Sequence, residues 1–176
     1  MGNRRSQITK RILRDCLLEM LQEKPFSKIS VRELCYRADI NRSTFYIHYK
    51  DLYDLFDSLE QETLNQLTQY MEQRVQRDRQ EDAMTDLLTY FRDNSSLYLT
   101  LLQTSLTYTD RIIETVFQVY RQYYQDIGKE LTEEDAYYIE FNIAGTVKLI
   151  KKWLLNDGQR SPREMAVMLF SFGDRE

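Results

Sequence analysis

One histidine, two cysteines, two prolines and five glycines are all that this chain of 176 residues holds of those types. So few histidines and cysteines leave little for a zinc site, whose closed tetrahedral shell is built from such groups. Cys16 and Cys35 stand at apolar helical positions, so they read as reduced core thiols and not as a disulfide framework. Phosphate-cradling glycine motifs are missing, and so is a nucleophile elbow. Glu133, Glu134, Asp135 and Glu140 are the nearest thing to a carboxylate site, yet the first three form the negative opening turn of a helix. Catalysis, metals and cofactors are therefore not expected. Neither a secretory leader nor a long uncharged apolar run is found, and the expectation is a cytoplasmic protein without a membrane partner.

What is present is ordinary in amount and uneven in place. A hydrophobic share of 42% beside a charged share of 30% suits a soluble globular chain. The length allows one sizeable core, or a small head and a larger body. Residues 1–50 hold 11 Lys/Arg against 5 Asp/Glu, a net of +6, whereas the remainder carries −10 and the whole −4. A basic head on an acidic body either meets a polyanion or bears a chance excess on a solvated face.

Apolar residues recur at helical spacing nearly everywhere and alternating strand patterns are absent, so the chain reads as all-α with about nine helices. The spacing predicts a first helix over Ser6 to Glu23, with Ile8, Ile12, Cys16 and Met20 in one row and Leu13, Leu17 and Leu21 beside it. Pro25 ends it. Ser30 caps a short second helix to Ala38, with Glu33 at the reciprocal position of a capping box. Asp39-Ile40-Asn41 turns the chain into a third short helix, Arg42 to Tyr49. Asp51 caps a long fourth helix that ends between Gln76 and Arg79. A fifth follows over Ala83 to Asp93, and Asn94-Ser95-Ser96 opens a sixth to Thr104. The seventh runs from Asp110 to Lys129 and the eighth from Glu133 to Asp157, closed by Gly158. "SPRE" at 161–164 opens the ninth with a cap, a first-turn proline and a capping-box glutamate.

Two short helices joined by three residues, just after a longer one, make a helix-turn-helix. Leu34, Ala38, Ile40, Phe45 and Tyr49 are spaced to pack inward with Ile29, leaving Ser43 and Ile47 outward, flanked by Thr44 and Tyr46. A helix entering the major groove needs such a short, polar start, because bulk would hold its backbone off the base edges. The stretch "FSKISVRELCYRADINRSTFYIHYKDLYDLFDSL", residues 26–59, resembles the DNA-binding domain of TetR-family transcriptional regulators, above all in "STFYIHYKDLYDLF". The resemblance implies that Thr44, Tyr46 and Lys50 bind phosphates. It places Arg42, Ser43, Ile47 and His48 at base edges or their borders, with Arg32 reaching in from the second helix. His48 has the alternative of packing against the first helix, and Arg4, Arg5, Lys10, Arg11 and Arg14 either attract DNA or form a plain polar face. Many family members carry glycine where Asp39 stands and a lysine where Leu52 stands.

The resemblance also implies a domain order, with a DNA-binding head over 1–50 and an effector-binding and dimerisation body over 51–176. Dimerisation follows from two recognition helices meeting the half-sites of a palindromic DNA operator. Ile139, Ile143, Val147, Ile150 and Leu154 make one apolar row of the eighth helix, and Phe141, Gly145, Leu149 and Trp153 a second. One row serves the body's own core and the other a homodimer mate, with Gly145, Leu149, Trp153, Met165, Leu169 and Phe172 as interface. Tyr90, Tyr98, Phe117, Tyr120, Tyr124, Tyr137 and Phe141 either line a pocket for a small, partly apolar effector or fill a core. The expected function is a dimeric, sequence-specific transcriptional repressor released by an effector. The alternative is a helical adaptor or coactivator of the same fold acting through a protein partner.

Overall fold

The computed structural model describes residues 2–75, 80–156 and 159–173. Among these the chain forms nine α-helices and one 3-10 turn, with no strand. They are α1 (Gly2–Glu23), the turn Phe26–Lys28, α2 (Val31–Arg37), α3 (Arg42–His48), α4 (Leu52–Val75), α5 (Gln80–Asp93), α6 (Ser95–Thr104), α7 (Tyr108–Asp126), α8 (Glu133–Leu155) and α9 (Pro162–Gly173). The expected end of α4 and the Gly158 cap lie outside the described residues. None of the described helices is long and apolar enough to cross a membrane. The chain divides into two compact units, Met1–Thr63 and Leu64–Glu176, and the division falls inside α4.

The first unit closes on Leu13, Leu17, Met20, Leu34, Phe45, Leu55 and Leu59, all fully buried. Burying each such side chain is worth about 1.5–3 kcal/mol over leaving it exposed. The inward face of α1 is thus Leu13, Cys16, Leu17 and Met20, whereas Ile8 and Ile12, expected in the same row, are exposed. Arg37 on α2 donates to both carboxylate oxygens of Glu23 on α1, at 2.6 Å each, and this fork holds the Glu23 carboxyl below its usual range. Ser30 accepts from the Glu33 N–H at 3.2 Å, but the Glu33 carboxylate pairs with Lys24, so only half of the expected capping box forms. A charged partner at the end of α1 competes better for a carboxylate than a neutral amide does. Both cysteines are free and buried, and burial pushes their thiols up.

The second unit packs α5 to α9 and the end of α4 around Leu88, Phe91, Trp153, Met165 and Ala166. Thr132 and Asp135 cap α8 reciprocally, and Ser161 and Glu164 do the same for α9. Trp153 donates its indole N–H to the Arg160 carbonyl at 2.9 Å, tying the α8–α9 connection to the core.

Two helices end in the same way on different residues. After α7 the Gly128 N–H bonds to Gln125 O and the Lys129 N–H to Tyr124 O, with Gly128 at φ 68°. After α2 the Asp39 N–H bonds to Tyr36 O and the Ile40 N–H to Cys35 O, with Asp39 at φ 51°. Both are Schellman ends, whose left-handed residue is normally glycine. Asp39 therefore stands where glycine would fit without strain, and it does so at a conformational cost of about 1 kcal/mol. Asp39→Gly is expected to raise the stability of the chain by about that amount and Asp39→Val to lower it by about 1–2 kcal/mol, read as shifts of the urea midpoint. Equal midpoints for all three proteins would contradict a strained turn.

Candidate functional site

The outward face of α3 is built from its ends and its floor. Asn41 caps the helix, accepting the Ser43 N–H at 3.2 Å. On the floor, Phe45 is fully buried and its ring meets Tyr49 at 5.8 Å. With that side anchored, Arg42, Ser43, Tyr46 and Ile47 point out, Tyr46 at 50% exposure and Ile47 at 77%. Thr44 and His48 are half-buried at the margins, His48 edge-on to Tyr49. The Arg42 guanidinium lies 6.0 Å from the Tyr46 ring centre, which arranges a cation and a phenol on one surface. Lys50 is exposed; its N–H donates to Asp54 at 2.8 Å while Asp51 accepts the Asp54 N–H at 2.9 Å, so the start of α4 is capped directly beside it. Arg32 is exposed on α2, and four residues on Tyr36 exposes 89% of its surface, a ring that the sequence reading did not single out.

The basic residues of α1 gather at a cleft of the same unit. Arg4, Lys10, Arg11 and Arg14 line it with Ile8, Tyr49, Ser58 and Glu62. Arg14 pairs with Glu62, and the Lys10 ammonium lies 5.9 Å from the Tyr49 ring centre. Arg4 and Arg11 are exposed there, and a phosphate backbone needs no more than such positive charge for non-specific attraction.

The second unit contains a cavity of about 480 Å³. Leu67 and Met71 of α4, Met84, Leu87 and Phe91 of α5, Tyr98 of α6, Tyr120, Tyr123 and Tyr124 of α7, and Tyr138, Asn142 and Thr146 of α8 line it, with Leu169 and Phe170 of α9. Of the rings expected at a pocket, Tyr98, Tyr120 and Tyr124 are in its wall. Tyr90 and Phe117 pack in the core instead, Tyr90 donating to Gln66 and Phe117 lying under the Arg121 guanidinium. Tyr137 and Phe141 point away from the cavity, 67% and 78% exposed. Tyr138, Asn142 and Thr146 were not singled out from the sequence, although a polar row at four-residue spacing beside the buried Ile139 and Ile143 was there to be seen.

The residues expected at a subunit interface fall into three groups. Trp153 and Met165 are buried in the core of their own chain. Leu149 and Leu169 are half-buried against that core. Gly145 and Phe172 are exposed, and a Cβ added at Gly145 would meet nothing within 4 Å. Gly145 continues an outer stripe of α8 through Tyr137, Phe141 and Lys148 to Leu155.

A capped, outward-facing second helix of a helix-turn-helix, followed by a helical unit with an apolar cavity, defines a helix-turn-helix transcriptional regulator. The comparisons agree. Residues 78–174, more than half of the chain, match the family model of a transcriptional regulator C-terminal region of TetR type. The chain belongs to the TetR family of transcriptional regulators, which are transcription factors and not enzymes. Among solved structures it resembles the dihydroxyacetone kinase operon activator DhaS, at TM-score 0.63 and 15% identity over 94% of this chain and 93% of that one. It also resembles FadR from Bacillus subtilis in complex with stearoyl-CoA, at 0.66 and 15% over 92% and 96%. The TetR-family regulator PfmR from Thermus thermophilus gives 0.60 and 16% over 92% and 96%. At these identities the likeness is one of fold. Comparison with curated proteins gives no match.

Contacts to phosphate and to bases are expected to separate under mutation. Tyr46→Phe and Lys50→Ala should weaken binding to every duplex, and the lysine change should also lower the slope of log affinity against log salt by about one unit. Arg42→Ala should instead relax preference at one position per half-site by about 1–3 kcal/mol. Equal losses on specific and random duplexes for Arg42→Ala, measured by fluorescence anisotropy across a salt series, would refute a base-reading role.

Proposed function

We propose that the protein is a homodimeric repressor that holds a palindromic duplex operator with α3 of each copy and is released when a small molecule occupies the cavity of the second unit. The outward face of α3 carries this reading, because Arg42, Ser43, Tyr46 and Ile47 offer a groove-sized, mixed polar and apolar surface next to the cationic Lys50. Two such helices must meet half-sites about 34–36 Å apart, which asks for a twofold mate. The exposed stripe of Tyr137, Phe141 and Gly145 on α8 is the best-suited surface. The structure of FadR with stearoyl-CoA supports a ligand within the same fold.

The link between ligand and DNA is α4. It contributes Leu55 and Leu59 to the core of the first unit, and Leu67 and Met71 to the cavity wall of the second. A ligand shifts the DNA-binding equilibrium only by the difference in its affinity for the two states. A hundredfold loss of operator affinity asks for about 2.7 kcal/mol of coupling, within reach of one small molecule. The DhaS neighbour, an operon activator, favours activation over repression as a second reading. A reporter gene behind the operator separates the two by the sign of its response.

Gly145 provides the test of the interface. Among the described residues nothing lies within 4 Å of a Cβ added there, and glycine costs about 1 kcal/mol of helix propensity relative to alanine. Gly145→Leu is expected to leave the fold intact, by circular dichroism, and to convert a dimer into a monomer by light scattering. An unchanged dimer would move the interface elsewhere.

A further inference from the structure

We propose that the cavity of the second unit takes an uncharged, largely apolar molecule that presents one hydrogen-bond acceptor to the hydroxyl of Tyr98. This rests on reading the cavity as an effector site and adds the chemistry of what fills it.

Two observations lead there. Among the described residues no charged side chain lines the cavity; its polar groups are tyrosine hydroxyls, the Asn142 amide and the Thr146 hydroxyl. A carboxylate or ammonium drawn into such a wall would lose its hydration without gaining a counter-charge, a cost that few ligands of this size recover. The second observation is independent. Tyr98 lines the cavity at 4% exposure, its ring set edge-on to Phe91 at 4.5 Å and to Tyr90 at 6.1 Å. Among the described residues its hydroxyl makes no hydrogen bond of good geometry, only a loose approach to the Tyr90 phenol. Buried hydroxyls are paired in the great majority of cases, because an unpaired one forfeits its hydrogen bonds to water.

The electrostatics give the direction of the missing bond. Burial, with the charges of Tyr90 and Tyr108 and the approach of the Tyr90 hydroxyl adding to it, pushes the Tyr98 phenol far above its ordinary range, so it stays protonated and offers a donor. A carbonyl or ether oxygen on the ligand completes it. Asn142 commits its Nδ2 to the Tyr138 carbonyl at 2.7 Å, so that amide group is already engaged within α8. Tyr98 is then the donor best placed to orient a neutral guest, while Phe91, Tyr120, Tyr124 and Phe170 supply apolar contact.

Three probes of nearly one shape separate the terms: benzophenone, diphenylmethane, which lacks the acceptor, and 4-benzoylbenzoate, which adds a carboxylate. Titration calorimetry on the full chain without DNA is expected to show benzophenone binding roughly tenfold tighter than either of the others. Tyr98→Phe keeps the ring and deletes the hydroxyl. It should bring benzophenone and diphenylmethane to equal affinity and should melt no lower than the parent chain, since an unpaired buried group has been removed. Val147→Phe, which narrows the cavity wall, should weaken all three probes. Equal or tighter binding of the carboxylate, a ketone preference that survives Tyr98→Phe, or saturation by none of the probes would each overturn the proposal. Operator affinity is measured separately on probe-free protein. Intact DNA binding with no probe binding sinks the ligand class alone, whereas a bound probe that leaves operator affinity unchanged sinks the effector reading alone.

Discussion

The Phe45 side chain in the core of the first unit is the contact on which the outward face of α3 depends. α2 and α3 have seven residues each, far short of the roughly 12–15 at which an isolated helix becomes even marginally stable in water. They persist because their apolar sides are buried and their ends are satisfied. Phe45 and Tyr49 fasten α3 from below, Asn41 caps it, and the Arg37–Glu23 fork holds α2 against α1. The left-handed Asp39 sets the angle at which one short helix hands over to the next. Arg42, Ser43 and Ile47 face outward as a consequence of what lies under them. Loosening Phe45 would therefore disturb the outward residues of the same short helix.

The second unit follows a different economy. Its core keeps open space where a structural protein would close it, and open apolar volume costs stability in proportion to its size. A bound molecule recovers part of that cost, since whatever binds the folded state alone stabilises it. The wall is made of leucine, isoleucine and valine side chains interleaved with aromatic rings and two methionines, which offer large contact areas with few polar demands. Such a wall is selective chiefly through the few polar atoms it contains, and those atoms belong to Tyr98, to the tyrosines of α7 and to the Tyr138–Asn142–Thr146 row of α8.

How much of this is legible in sequence differs between the units for a physical reason. Short helices announce themselves by their caps and turns, so Ser30, Asp51 and the turn Asp39-Ile40-Asn41 mark the helix-turn-helix closely, and the family likeness rests on the residues around them; that Asn41 caps α3 is visible only in the structure. The turn between α2 and α3 is readable too, although the left-handed Asp39 is visible only in the backbone. In the longer helices apolar spacing defines faces without saying what each face meets. Tyr137 and Phe141 share the helical rhythm of pocket rings yet stand outside, and Trp153 and Met165 share the rhythm of an interface yet sit in the core. Ile8 and Ile12 continue the row of Cys16 and Met20 but lie on the exposed side of α1. Only the packing of neighbouring helices decides such cases, and a single helix does not carry that information.

The placement of Trp153 has an optical consequence. It is the only tryptophan of the chain, it is buried in the second unit, and its indole N–H is held by a carbonyl of the α8–α9 connection. Excitation at the red edge of aromatic absorption therefore reports on the second unit and leaves the helix-turn-helix silent. Helical circular dichroism, in contrast, sums over both. If the two units unfold independently, the two signals part company along a denaturant series, and a single free energy of unfolding loses its meaning. The same indole, a residue away from cavity-lining Leu154, is also an internal lamp whose quenching marks events in the cavity without any attached dye.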